Sequence, residues 1–203
     1  QLALEVVDDV VAYATKKELF VRIDMEDTPV TQQTYDLYRE LRRRGYENIG
    51  VVMQAYLRRT MQDARDLAAE GANVRLCKGI YIEPRKLAYK DYQLVRDSFV
   101  DAMDALMRGA DTHTAVATHD DYLVFHGRRL VRELELDPKR YEFQMLLGVD
   151  EGLRQMLIDE GHGMRVYVPF GAGWHGYSIR RLVENPKLAS DVTKNVLGFG
   201  PAS

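Results

Sequence analysis

The sequence has one cysteine, one tryptophan and five histidines, no long apolar run, and no excess of charge of either sign. The single cysteine, Cys77, excludes an internal disulfide and a thiolate metal cluster, and this fits a reducing compartment. No run approaches the roughly 18 apolar residues that span a bilayer, and the N-terminus lacks the order of a signal peptide. With 28 Lys and Arg against 31 Asp and Glu, the chain lacks the basic excess that nucleic-acid binding needs.

What is present is the composition of one globular domain over 1–203, with a flexible tail predicted over 198–203. Short apolar, β-branched runs predict strands, and stretches with apolar residues every three or four positions predict helices between them. Strict alternation, with connections too long for hairpins, predicts a parallel sheet. The six predicted strands are Leu19–Ile23, Ile49–Met53, Val74–Cys77, Thr114–Ala117, Tyr141–Met145 and Met164–Val168.

The ends of these strands favour a barrel over an open doubly wound sheet. Each strand ends in a polar group of the kind that faces a site, such as Asp24, Gln54 and Gln144, and a barrel draws its chemistry from every strand. No Gly-rich turn follows the first predicted strand, as it would in a dinucleotide-binding open sheet. We therefore predict an α/β fold of the (β/α)₈ TIM-barrel type. Because such a barrel has eight strands and the helix predicted over 1–15 has no cap before it, we expect the first two βα units to be missing.

The segment Val74–Tyr81 places Arg75, Lys78 and Gly79 at the end of a strand. A backbone N–H beside fixed positive charge suits a phosphate or a reduced, anionic ring. The alternative is that both cations pair with surface carboxylates.

Thr118 and His119 follow the next strand, and the two aspartates after them are able to cap the helix that follows. The chain has no H-E-x-x-H, C-x-x-C or H-x-H spacing, so we predict no metal site and a hydrogen-bonding or pyrophosphate-contacting role for the imidazole. No serine lies in a G-x-S-x-G elbow, which excludes a serine hydrolase of that type.

Two further groups carry charge that suits a small carboxylate. A predicted helix after the sixth strand brings four residues to one side: Tyr177, Arg180, Arg181 and Glu184. The paired guanidiniums suit bidentate capture of a carboxylate. The alternative is an ordinary surface helix with salt bridges along it. Asp24 ends the first predicted strand, where it either pairs with a clamp arginine or helps to position an ammonium; the alternative is that the acids after it, Glu26 and Asp27, merely begin a loop.

Taken in order along the chain, seven segments resemble the proline dehydrogenase family. The resemblance implies a distorted (β/α)₈ barrel that binds FAD noncovalently and oxidises L-proline to Δ¹-pyrroline-5-carboxylate. Electrons then pass to a membrane quinone, so the expected location is cytoplasmic, with peripheral contact at the inner membrane and no transmembrane segment. The seven segments are Val21–Asp27, Val51–Arg59, Val74–Pro84, Ala117–Asp120, Phe143–Gly148, Val166–Gly171 and Tyr177–Glu184.

The resemblance also implies roles for individual residues. Arg180 and Arg181 would grip the proline carboxylate, oriented by Asp24 and Glu184. The residues that pack the proline ring against the flavin would be Tyr177, Tyr167 and Leu146. The residues that hold FAD would be Gln54, Arg75, Lys78, Gly79, Thr118 and His119, with Tyr81 supporting them.

Three positions depart from the family pattern. Leu147 and Phe170 stand where the family more often has tyrosine, and Ile80 stands where it has a smaller alanine, which predicts a drier or wider pocket rim and crowding at the flavin edge. Two other functions stay open. One is a relative that oxidises 4-hydroxyproline, against which the bulk of Tyr167 argues. The other is a noncatalytic barrel fragment that binds a flavin or carboxylate without turnover.

Overall fold

The computed structural model describes residues 2–168, 170 and 171, and over this range helices and strands alternate. The strands are β1 (Val21–Ile23), β2 (Ile49–Gln54), β3 (Asn73–Cys77), β4 (His113–Ala117), β5 (Tyr141–Leu146) and β6 (Met164–Tyr167). The helices are α1 (Leu2–Lys16), α2 (Thr28–Arg43), α3 (Thr60–Ala69), α4 (Tyr92–Arg108), α5 (Asp121–Glu133) and α6 (Glu151–Asp159), and a 3₁₀ turn, Pro138–Arg140, precedes β5.

The six strands form one parallel sheet whose spatial order, β1-β2-β3-β4-β5-β6, is the order of the chain. A doubly wound sheet reverses its strand order at a switch point, whereas a barrel adds each strand beside the last. The sheet curls into a half-barrel with helices between its strands. This confirms the prediction of a TIM-barrel-like α/β fold, with six parallel strands and helices between them.

The two faces of the sheet have opposite character. Val51 pairs with Val74, and Val116 pairs with Phe143; all four are buried on the face that packs against the helices. The other face carries most of the polar side chains, with the apolar side chains of Val52 and Ala115 among them, and forms the concave inside of the half-barrel. Because side chains alternate along a strand, the register places these inward positions in rows. They include Arg22, Asn73, Arg75, Glu142, Gln144 and Arg165.

Arg22 fills the inside of the half-barrel near the start of the strands. Its guanidinium donates to the Asn73 carbonyl oxygen at 2.8 Å and to the Asn73 side-chain oxygen at 2.6 Å. Burial, reinforced by the nearby charge of Arg75, lowers the pKa of Arg22 to about 10, so it remains charged at neutral pH. Gly50 lies beside it, where a Cβ would stand 2.4 Å from the guanidinium. Arg22, Asn73 and Gly50 form a layer that fills the inside of the half-barrel below the carboxyl ends of the strands.

The strand predictions hold to within two residues at every end. The largest difference is at β1, which begins at Val21 because pairing with β2 starts there, while Leu19 and Phe20 are 58% and 41% exposed. Helix α1 buries Val11 and Ala14, and Val11 belongs to the apolar core. Among the helices of residues 2–168, none combines the length and apolar character that crossing a bilayer requires.

Candidate active site

The carboxyl ends of the parallel strands gather the predicted residues at one edge of the sheet. Arg75 lies on the concave face within β3, and the others lie at a strand end or in the loop that follows it. Those residues are Asp24, Gln54, Lys78, Gly79, Tyr81, Thr118, His119, Leu146 and Tyr167. Active sites of barrel enzymes lie at this edge, the carboxyl ends of the strands. Tyr177, Arg180, Arg181 and Glu184 lie outside the described residues, as does the tail over 198–203.

Asp24 and Arg75 form an ion pair across β2. The Arg75 guanidinium donates to the Asp24 carboxylate at 2.6 Å, and the backbone N–H of Met25 donates to the same oxygen at 3.0 Å. Arg75 is 17% exposed at its side chain and Asp24 is 61% exposed, so solvent screens the pair and its net contribution to stability is small. The contact fixes the direction of the guanidinium, which stands over the concave face.

Gln54 ties the end of β2 to the loop after β1. Its side-chain amide donates to the carbonyl oxygen of Glu26 at 2.8 Å, and Gln54 itself is only 3% exposed. The hydroxyl of Tyr81 donates to the carboxylate of the same Glu26. Glu26 therefore joins the loop after β1 to the end of β2 and to the loop after β3.

The loop between β3 and α4, residues 78–91, lies close against its neighbours. Gly79 has φ of +100°, and a Cβ there would stand 2.1 Å from Tyr56 Cδ1, so only glycine fits. The N–H of Tyr56 donates to the Lys78 carbonyl at 2.9 Å, and the N–H of Tyr89 donates to the Tyr56 carbonyl at 2.8 Å. The carboxylate of Glu83 accepts from the backbone N–H of Thr28 at 2.7 Å. This loop is held by the two preceding βα connections.

The carboxylate of Asp120, after β4, pairs with two cations, Lys78 in the loop after β3 and Arg96 on α4. Its carboxylate accepts from Lys78 Nζ at 2.5 Å, from Tyr92 OH at 2.8 Å, and from Arg96 Nε and Nη2 at 2.8 and 2.7 Å. Burial alone would raise the pKa of this carboxyl, but hydrogen bonds from Arg96, Lys78 and Tyr92 outweigh it and hold the pKa well below its usual range. We call Lys78, Tyr92, Arg96 and Asp120 the Asp120 cluster.

Thr118 and His119 are held by backbone contacts beside this cluster. The Thr118 hydroxyl accepts from the Asp120 N–H at 3.1 Å. His119 Nε2 accepts from the Leu146 N–H at 2.9 Å, so this nitrogen carries no proton and a neutral ring carries its proton on Nδ1. The contact joins a residue predicted to hold the cofactor to one predicted to pack the substrate.

The three positions that depart from the family pattern lie at the rim of this edge. Ile80 is 37% exposed, Leu147 is 56% exposed and Phe170 is 99% exposed. Tyr167, at the end of β6, is 37% exposed. The rim of this edge is therefore apolar, whereas the strand ends beneath it carry charged side chains.

Several residues of the site were not predicted from the sequence. Glu26, Glu83, Tyr92 and Arg96 each contact a predicted residue or its loop. The one local signal is that Tyr92 and Arg96 are four residues apart at the start of α4, where offsets of four bring side chains to one side of a helix.

Comparison with known proteins decides the family. The proline dehydrogenase family model matches residues 3–194. The chain belongs to the proline dehydrogenase family. It is 36% identical to proline dehydrogenase 1 of Bacillus subtilis over 97% of its length, and 37% identical to proline dehydrogenase 2 of the same organism over 91%. It spans 65% and 60% of those two relatives.

A solved structure shares the fold. It is proline utilization A (PutA) from Bdellovibrio bacteriovorus, inactivated by N-propargylglycine. The match has a TM-score of 0.81 at 28% identity and covers 90% of this chain and 22% of that chain. The likeness extends the family assignment from sequence to the arrangement of strands and helices.

Proposed function

We propose that this chain forms part of an FAD-dependent proline dehydrogenase, an oxidoreductase acting on the CH–NH group of L-proline. The product is Δ¹-pyrroline-5-carboxylate, and a quinone at the inner membrane takes the electrons, so the protein works from the cytoplasmic side with peripheral contact. The observation that carries the proposal is the charged strand-end surface around Arg75, Lys78 and Gly79, in a chain of this family.

The residues at the strand ends fit a flavin dinucleotide. Gly79 lets the loop after β3 turn tightly against the Tyr56 ring, and Lys78 and Arg96 provide cations that are 26% and 23% exposed, suited to phosphate. Arg75 provides positive charge on the concave face, which stabilises negative charge on a reduced ring. Gln54, Thr118 and His119 provide polar contacts at the neighbouring strand ends, and Tyr81 supports the loop through Glu26.

When bound, FAD supplies the acceptor for the hydride that leaves the proline carbon next to nitrogen. The chain's own residues must then hold that carbon in place and keep the amine neutral. Arg180 and Arg181 fix the substrate carboxylate, and their positive field disfavours an ammonium beside them. Asp24 and Glu184 orient the charged groups, and Tyr177, Tyr167 and Leu146 pack the ring.

The test adds L-proline anaerobically to the purified full-length protein and follows flavin absorbance. We expect flavin bands that bleach with proline, and an Arg180→Ala variant whose apparent proline affinity falls about tenfold to hundredfold, the effect of losing charge-assisted hydrogen bonds. Arg108→Ala is the matched control, because Arg108 lies 57% exposed on α4 and pairs only with Asp104 among the described residues.

Three results would contradict the proposal. A colourless protein that takes up no FAD favours a noncatalytic fragment. Bound flavin that hydroxyproline reduces and proline does not favours the hydroxyproline-oxidising relative. A reduced flavin that a soluble quinone analogue fails to reoxidise would contradict the quinone as acceptor.

A further inference from the structure

The Asp120 carboxylate accepts more hydrogen bonds than a surface acid usually does. Besides the four contacts from Lys78, Tyr92 and Arg96, its Oδ1 accepts from the backbone N–H of Tyr122 at 3.1 Å. Five donors therefore converge on two oxygens, and the side chain is only 6% exposed. Two cations against one carboxylate leave the cluster with a net charge of about +1.

The two cations are held firmly while part of each stays accessible. Lys78 Nζ lies 4.6 Å from the centre of the Tyr92 ring, and Arg96 lies 4.5 Å from Tyr92 and 5.1 Å from Tyr122. Among the residues that the structure describes, Lys78 uses two of its three N–H groups, on Asp120 and on Tyr92 OH at 3.0 Å. Arg96 turns its Nε and Nη2 to Asp120 and also interacts with the Tyr92 hydroxyl, and its side chain is still 23% exposed.

The Asp120 cluster orders the side chains of Lys78 and Arg96 when the protein folds, so their conformational entropy is not lost on binding. Lysine and arginine side chains otherwise lose much rotamer freedom when they bind a phosphate. The cluster also lies beside Gly79, whose Cα packs on the Tyr56 ring, and beside Thr118 and His119.

We propose that Asp120 is the positioning residue of an anion subsite in which Lys78 and Arg96 bind a phosphate of the dinucleotide. This inference rests on the proposed function and adds to it Arg96 as a binding residue and Asp120 as the group that fixes both cations. Asp120 also caps α5. A purely structural role predicts changes in stability and none in the preference for phosphate.

The experiment uses the variant Asp120→Asn in the full-length apoprotein. Asparagine keeps the size and one oxygen to accept from Tyr122, but it loses the charge that holds the cations. Flavin fluorescence titrations measure the Kd for FAD and for riboflavin, which has the ring and no phosphate, and displacement by ADP measures the affinity for the phosphates without the ring. Asp121→Asn is the matched control, because it removes an exposed charge at the neighbouring position.

We expect Asp120→Asn to raise the Kd for FAD and for ADP by about tenfold or more, with riboflavin affinity changed less than about twofold. Asp121→Asn changes none of the three. An FAD Kd within about twofold of wild type, tighter FAD binding, or equal losses for FAD and riboflavin would each overturn the inference.

A second variant covers the case in which Asp120→Asn does not fold. Arg96→Gln leaves the α5 cap and the Lys78 contact in place, and we expect it to weaken FAD and ADP by about tenfold while sparing riboflavin. Unchanged FAD and ADP affinities would overturn the inference. Failure of the wild-type protein to bind FAD at all refutes the proposed function instead, so the two failures are distinguishable.

Discussion

Helix α2 is capped by a side chain from a distant loop, and this gives a sharp prediction. Asp27 occupies the N-cap position with extended backbone, yet its side chain makes no capping hydrogen bond. The first N–H of the helix, that of Thr28, donates instead to the carboxylate of Glu83, 55 residues along the chain and only 7% exposed. We predict that Glu83→Ala destabilises the protein more than Asp27→Ala does.

The magnitude follows from two contributions. Loss of an N-terminal acceptor costs about 1 kcal/mol, and loss of a negative charge beside the positive end of the helix dipole costs about 0.3–1 kcal/mol more. We therefore expect Glu83→Ala to lower the free energy of unfolding by about 1.5 kcal/mol, or Tm by roughly 3–6 °C in a chain of this size. Glu83→Gln keeps an oxygen acceptor and should cost about 0.5 kcal/mol. Asp27→Ala should cost less than about 0.5 kcal/mol.

Urea unfolding followed by far-UV circular dichroism measures these differences, and amide hydrogen exchange at Thr28 reports the contact itself. Exchange at Thr28 should accelerate in Glu83→Ala and stay near the wild-type rate in Asp27→Ala. If Asp27→Ala costs as much as Glu83→Ala, the helix is capped locally and the reasoning is wrong.

Three other predictions concern the strand-end loops. Gly79→Ala, which forces a Cβ against the Tyr56 ring, should cost more than about 3 kcal/mol in thermal unfolding. Gly148→Ala, also at positive φ but with no atom of the described residues within 4 Å of the added Cβ, should cost about 1 kcal/mol, and equal costs would refute the steric argument. Nitrogen-15 NMR should find the neutral His119 ring protonated on Nδ1, and a proton on Nε2 would contradict the assigned contact. Because the folded pKa of Asp120 lies below its unfolded value, its ionised form contributes stability above the unfolded pKa near 3.9, and this is lost as pH falls. The stability difference between wild type and Asp120→Asn should therefore shrink between about pH 5 and pH 2 in urea titrations, and a constant difference would contradict it.

The strands were predictable because parallel strands covered by helices are built from short apolar, β-branched runs. Val74 and Leu76, both fully buried, show the pattern clearly. The error at the start of β1 has the same origin, since Leu19 and Phe20 extend the apolar run without pairing to β2. Hydrophobicity indicates which residues are able to form a strand, and the register with the neighbouring strand decides where it begins.

The positions of the site residues were predictable, and their partners were not. Polar groups after each strand identify the edge where a site forms, which placed Gln54, Lys78 and His119 correctly at the strand ends. Lys78 meets an acid 42 residues away. Such pairs join neighbouring barrel units, and no local spacing indicates them. Arg96 is harder still, because on a surface helix it resembles one of many solvated charges.

Carboxylates at the strand ends act mainly as fixed acceptors that hold one loop against another. Asp120 joins β4 to the cations after β3 and on α4, Glu26 joins β1 to Tyr81, and Glu83 joins the same loop to α2. These loops lie outside the parallel sheet, and besides one antiparallel bridge between Leu57 and Ala88, ionic and hydrogen-bond contacts set their relative positions. Substitutions that keep size but remove charge therefore test ligand geometry, because they loosen the loops while leaving the apolar core between sheet and helices intact.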